Sequence, residues 1–226
     1  IQSQIFIRCG DKYYSLSLGS TALTRLATGL GNNDGYIIGV GAMKIENNVT
    51  RGILKSVSES GIERVIFERD DESVLSYVYN KSDGNVYVST NLAVYKAKIN
   101  ETNNAVKITD GEFYLKELSS DGMHILSLNE TSPGIFNIWT IRTDGDKRKI
   151  TNNPDKYTSL KYIANNSIVY LKNGNLYTLD IPSSTEKLLA QSVDRYIINF
   201  DLALVTATVR NETYIFSFNG SGEKFR

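Results

Sequence analysis

Residues 119–128 read Ser119-Ser120-Asp121-Gly122-Met123-His124-Ile125-Leu126-Ser127-Leu128, and after Asn129–Gly134 come Phe136-Asn137-Ile138-Trp139-Thr140-Ile141-Arg142, Thr143-Asp144-Gly145-Asp146 and Arg148-Lys149-Ile150-Thr151. Strand formers alternate with polar residues, and Asp-Gly pairs close two of the gaps. Such pairs mark tight hairpins, because the favoured two-residue turns need positive φ. With Phe113–Leu118 in front, this stretch predicts four strands: Phe113–Leu118, Met123–Leu128, Phe136–Arg142 and Arg148–Thr151. The turns between them are Ser119–Gly122, the longer Asn129–Gly134 and Thr143–Asp146.

The pattern extends outward in both directions. Tyr13–Leu18, Val74–Tyr79 and Ile197–Phe200 are further alternating runs, and Ser82-Asp83-Gly84-Asn85, Lys172-Asn173-Gly174-Asn175 and Asn219-Gly220-Ser221-Gly222 are further turn clusters. Helical periodicity is hard to find. Six segments align on a leading residue with a turn residue five places later: Tyr14–Gly19, Leu54–Glu59, Tyr95–Asn100, Trp139–Asp144, Tyr177–Pro182 and Tyr214–Asn219. Their leading residues lie 40, 41, 44, 38 and 37 residues apart. A repeat of about 40 residues holding four short strands is the period of a propeller blade. The expected fold is all-β: a β-propeller of about six four-stranded blades in one domain. Its units span roughly 1–30, 31–70, 71–110, 111–153, 154–192 and 193–226. The first blade is incomplete, with strands only near Gln4–Arg8, Tyr13–Leu18 and Leu23–Leu26.

Ser119-Ser120-Asp121-Gly122, the strand after it, and Ile138 to Thr151 resemble a blade of the TolB-type, WD-repeat-like propellers. Their motif runs S-P-D-G, a strand, a strand ending D-G, and a short strand ending L-T. Ser120 stands where proline is usual. The resemblance is good in the fourth unit, fair in the third and fifth, and slight in the others. It implies a propeller and carries no catalytic residue.

Composition narrows the function. The 226 residues hold 25 Lys and Arg against 25 Asp and Glu, so no net charge attracts nucleic acid or anionic lipid. One Cys and one His exclude an internal disulfide framework and multi-Cys or multi-His metal sites. No cofactor and no direct membrane insertion are expected. The chain opens on Ile1, and a processed, secreted N-terminus is expected. Asn-X-Ser/Thr occurs at Asn48, Asn80, Asn100, Asn129, Asn165, Asn211 and Asn219, against about four by chance from 21 Asn and 39 Ser plus Thr. All seven are expected in or beside turns, where a solvated glycan costs no packing.

The expected protein is therefore a non-catalytic, extracellular, glycosylated recognition or structural module on a cell surface, appendage or virion. Its partner is a protein or a surface glycan, and the open edge of the first blade is a place for strand addition. The Ile, Asn, Tyr and Lys richness suggests an archaeal source. Two alternatives follow from the resemblance: a propeller gating a serine peptidase whose catalytic domain lies elsewhere, and a periplasmic TolB-like interaction module.

Other residues with chemical potential have plainer readings. His124, with Asp121 as orienter, is expected as a strand residue after a turn rather than a base. Cys9 is expected at a strand end. Glu68-Arg69-Asp70-Asp71-Glu72 is expected as a solvated loop rather than a paired-carboxylate site. Asn32-Asn33-Asp34-Gly35 opens like a calcium loop but lacks the downstream Glu. Lys147-Arg148-Lys149 is too small for a nucleic-acid footprint. Trp139 and the leading tyrosines are expected as inter-blade core.

Overall fold

The computed structural model describes residues 4–9, 12–17, 24–25, 36–37, 41–48, 50–57, 62–200, 202–218 and 222–225, with side chains over 43–47, 50–57, 62–200 and 202–218. The described residues are all-β, as expected. They form one three-stranded and five four-stranded antiparallel sheets, each made of strands consecutive in sequence. The first sheet is β1 (Gln4–Cys9), β2 (Lys12–Ser17) and β3 (Thr24–Arg25). The second is β4 (Tyr36–Ile37), β5 (Gly41–Asn48), β6 (Arg51–Val57) and β7 (Glu63–Asp70). The third is β8 (Val74–Asn80), β9 (Asn85–Thr90), β10 (Ala93–Lys98) and β11 (Val106–Asp110). The fourth is β12 (Tyr114–Leu118), β13 (His124–Ser132), β14 (Ile135–Arg142) and β15 (Lys147–Lys149). The fifth is β16 (Tyr157–Ala164), β17 (Ser167–Lys172), β18 (Asn175–Asp180) and β19 (Thr185–Ala190). The sixth is β20 (Arg195–Asn199), β21 (Leu204–Val209), β22 (Glu212–Ser217) and β23 (Gly222–Phe225).

The chain divides into two compact units, Ile1–Ser76 with Asp83–Gly111, and Tyr77–Ser82 with Glu112–Arg226. In the first unit, Leu54, Ile66, Phe67, Val86, Val88 and Val94 are fully buried. The acidic run that reads as a solvated loop belongs to this packing. Glu68–Asp70 end β7, Asp70 and Asp71 are exposed, and Asp71, with φ of 59°, turns the chain. The Arg69 guanidinium lies over both Phe67 and Tyr95, 5.5 and 5.1 Å from their ring centroids, and donates to the Ala105 carbonyl at 3.0 Å. Glu72 accepts from the Thr90 hydroxyl at 2.5 Å and the Tyr95 hydroxyl at 2.7 Å. Half-buried charge needs partners, and long-range contacts that no local pattern shows provide them here.

In the second unit the fifth sheet is buried on both faces. Ile168, Tyr170, Leu179 and Ile181 pack with Leu126, Ile138 and Ile150 of the fourth sheet. Val169 and Leu176 face the other way and pack with Val205, Ala207 and Phe216 of the sixth. Successive side chains of a strand point to opposite faces, so Ile168-Val169-Tyr170 must be apolar at both parities. The second strands Asn85–Thr90 and Ile125–Leu128 are likewise buried throughout.

Turn chemistry agrees with the sequence at Asn173-Gly174, where φ of 50° and 77° closes the Lys172–Asn175 pair. Arg210-Asn211 makes an equivalent two-residue turn, φ 47° and 67°, without a glycine. One boundary differs. Asn129–Gly134 is not a turn throughout: β13 continues to Ser132, with Asn129 opposite Asn137 and Glu130 opposite Phe136. Gly134, at φ 74°, donates its N–H to Glu130 Oε1 at 2.7 Å.

Gly52 on β6 marks the closest approach in the first unit. A Cβ there would lie 2.6 Å from the Glu72 carbonyl oxygen and 2.8 Å from the Val74 nitrogen. The Asn47 side chain pairs both polar groups of Val74, at 2.8 and 2.9 Å, and holds that backbone in place. Gly52→Ala is expected to lower stability by about 1–3 kcal/mol, read as a fall in the chemical denaturation midpoint.

Candidate functional site

The Ser119–Gly122 turn, where sequence placed a possible His124–Asp121 pair, is a structural knot. The Ser119 hydroxyl donates to Asp121 Oδ1 at 2.6 Å and accepts from the His124 backbone N–H at 2.9 Å. Met123 N–H donates to the same Asp121 oxygen at 2.9 Å, and Ser119 N–H to the His124 carbonyl at 2.8 Å. These donors hold the Asp121 carboxyl below its ordinary range, the Ser119 hydroxyl foremost. Asp121 thus fixes the turn and does not orient the imidazole. Ser119 is the residue of the motif whose role is visible: it is buried and closes the knot.

Cys9 ends β1, opposite Lys12, and its side chain lies outside the described residues, as does all of Asn32–Gly35. Among the described residues no group of three or more His, Cys, Asp or Glu side chains is placed to hold a metal ion, and no helix is long and apolar enough to cross a membrane. The leading residues Leu54 and Tyr95 are buried; Trp139, Tyr177 and Tyr214 are half-buried, each on the third strand of its sheet. Lys147, Arg148 and Lys149 form the exposed strand β15.

The sequon asparagines divide by environment. Asn100, Asn165 and Asn211 are exposed and lie in turns. Asn80 ends β8 half-buried. Its Oδ1 accepts from Ser82 N–H and hydroxyl at 3.1 and 2.7 Å, and a Cβ on Gly122 would meet its Nδ2 at 2.7 Å. Asn129 is half-buried within β13, and its Nδ2 donates to the Glu112 carbonyl at 2.8 Å. The Asn48 side chain and Asn219 lie outside the described residues.

A concavity of about 550 Å³ forms in the second unit where the first strands of the last three sheets gather. Sequence reasoning missed it, because its residues are up to 83 positions apart, Glu117 to Phe200. Glu117 of β12 accepts from the Tyr162 backbone N–H at 2.7 Å and lies 3.5 Å from Lys161 Nζ. Tyr196 of β20 donates its hydroxyl to the Ser159 carbonyl, and Ser159 sits at φ 54°. Burial, followed by the Glu117 charge, pushes the Tyr196 phenol above its usual range. Asp194 accepts from Arg210 N–H at 2.9 Å, and Arg195 adds a cation. Phe200, 60% exposed, also lines this mixed-charge groove. The arrangement offers an ion pair, hydrogen bonds and an exposed aromatic ring.

No family model matches the chain, and no curated protein sequence does. Solved structures do. An oligogalacturonate lyase from Vibrio parahaemolyticus is 16% identical, with a TM-score of 0.64 over 94% of this chain and 70% of that one. A prolyl endopeptidase structure is 10% identical, with a TM-score of 0.66 over 98% of this chain but 42% of its own. A putative TolB from Agrobacterium tumefaciens is 15% identical, with a TM-score of 0.52 over 80% of this chain and 71% of that one. These likenesses support a β-propeller fold, which the repeat predicts.

Burial raises several phenols of this unit: Tyr157 to about 12, and Tyr162, Tyr170 and Tyr196 further. Each folded pKa exceeds the unfolded value near 10, so the stabilising difference is whole below pH 10. It is lost as pH rises from there through the folded values. Stability is therefore expected to hold up to about pH 10 and fall above it. Ultraviolet titration is expected to show a fraction of the phenols ionising only as the protein unfolds.

Proposed function

We propose that this chain is a non-catalytic, extracellular, glycosylated β-propeller of six blades, the first incomplete, that serves as a recognition or structural module on a cell surface, appendage or virion. The observation that carries this reading is the exposed turn position of Asn100, Asn165 and Asn211. A glycan on such turns would cost no core packing. Among the described residues the first sheet has three strands where the others have four, which favours a partner adding a strand at its edge. The groove of Glu117, Lys161, Arg195 and Tyr196, with the exposed Phe200 ring in its wall, suits a protein or surface glycan. Glu117 is held by Lys161 and the Tyr162 N–H, and Asp194 by the Arg210 N–H, which favours a binding role.

The likeness to a prolyl endopeptidase, over nearly all of this chain but less than half of the other, favours a second reading: a propeller that accompanies a separate peptidase domain. A TolB-like interaction module is the third, and it would carry no glycan.

Glycopeptide mass spectrometry of protein from its natural source separates them. Sugar is expected on Asn100, Asn165 and Asn211. Asn80 and Asn129 are expected to be bare, because their amide nitrogens are covered or hydrogen-bonded within strands. An unmodified intact mass overturns the extracellular glycoprotein reading.

A further inference from the structure

We infer, resting on the glycoprotein reading above, that a second groove, between the fourth and fifth sheets, seats the first sugar of a glycan on Asn165. The sugar then packs onto the sheets that carry it. The groove measures about 250 Å³, near the lower end of small-ligand sites, so it takes one sugar ring and not a chain of them.

Three features point to this occupant. The first is the tether. Asn165 lines the groove from its exposed turn, and Ser167 completes its sequon. Its Oδ1 accepts from the Ser120 hydroxyl at 2.6 Å, which leaves Nδ2, the atom that bears the sugar, as the free end. Attachment by a separate transferase joins Nδ2 to the anomeric carbon, breaks that carbon's bond to the diphosphate of a lipid-linked oligosaccharide, and releases one amide proton. The second is an unmet polar group. Tyr162, 4% exposed, lines the groove, and its hydroxyl is buried with no hydrogen-bond partner. A buried hydroxyl left unpaired is costly, and a sugar hydroxyl satisfies it as donor or acceptor. The third is the lining. Arg142 is paired with Asp144 at 2.6 Å and Asp146 at 3.3 Å, and the Lys147 ammonium sits 5.4 Å over the Phe113 ring. Charge is thus nearly balanced, as suits a neutral sugar. Arg148 stands opposite Thr140 across β14 and β15, so both share the face that meets the fifth sheet. Arg148 donates one N–H to the Pro182 carbonyl at 3.1 Å, which steadies a guanidinium with further donors for sugar hydroxyls. Ile181 and Pro182 supply an apolar wall for the C–H face of the ring.

The test uses the full chain made in a secretory host that adds N-glycans and in a host that adds none. Ser167→Ala removes the Asn165 sequon without touching Asn165. Thr102→Ala, at an exposed position, removes that of Asn100, which does not line the groove. With glycans, Ser167→Ala is expected to melt about 2–4 °C lower than it does relative to wild type without them. Thr102→Ala is expected to show no such excess. Enzymatic trimming to a single sugar is expected to keep the stabilisation. Tyr162→Phe is expected to roughly halve it, while its unglycosylated form melts no lower than wild type, since that protein loses an unpaired polar group.

Sugar on Asn165 with no excess shift in Ser167→Ala overturns the inference and leaves the glycoprotein reading standing. So does an equal shift in Thr102→Ala, a shift lost on trimming to one sugar, or a shift undiminished in both Tyr162→Phe and Arg148→Gln. Asn165 left bare beside sugar on Asn100 and Asn211 also overturns the inference alone, whereas a chain from its natural source that is bare at every sequon overturns both.

Discussion

Burial of a sheet on both of its faces is the constraint from which the second unit follows. Ile168 and Tyr170 enter one apolar cluster and Val169 the other. A strand in this position tolerates no polar parity, so its apolar residues run together instead of alternating. Edge strands answer to a different demand. Lys147–Lys149 and Thr185–Leu188 are exposed throughout and lie at the ends of their sheets. There, charge blunts an unpaired row of backbone donors and acceptors. The gradient from dry second strands to charged fourth strands sets where each residue type is allowed, and so where chemistry is available.

That gradient explains what was legible. Asp-Gly and Asn-Gly pairs announced hairpins because positive φ selects for glycine locally. The leading residues announced a repeat because from Leu54 onward each occupies the third strand of its sheet, a position that recurs with the fold, while Tyr14 lies on the second strand of the first. Asn129 misled because Asn, Thr, Ser, Pro and Gly together read as a long turn, while only Pro133-Gly134 lies outside the strands. Arg210-Asn211 turned without a signal, because Asn tolerates the left-handed region and the flanking ladder imposes it on Arg. Glu68–Glu72 misled for another reason. A run of charges looks solvated until the aromatic and hydroxyl partners arrive from β9 and β10, and nothing within the run encodes them. The groove residues Glu117, Ser159 and Tyr196 are invisible in the sequence for the same reason: they come from three strands.

The polar knots show how charge is used within this architecture. Asp121 with Ser119, Glu72 with Thr90 and Tyr95, and Glu117 with the Tyr162 N–H each tie a carboxylate to donors across a turn or between sheets. Charge-assisted hydrogen bonds of this kind are stronger than neutral ones and directional. They fix register where apolar packing, which is non-directional, does not. Carboxylates held this way have lone pairs engaged, and in Asp121 the donors also lower the basicity.

Asn165 is the sequon that also lines a groove. Its Oδ1 accepts from the Ser120 hydroxyl at 2.6 Å, which leaves the amide nitrogen as the free end, and the residue itself lines the groove of Lys147, Arg148 and Tyr162. A sugar attached to that nitrogen would stand at the mouth of the groove. Ser120, in the place where this motif usually has proline, supplies the hydroxyl that sets the direction of that side chain.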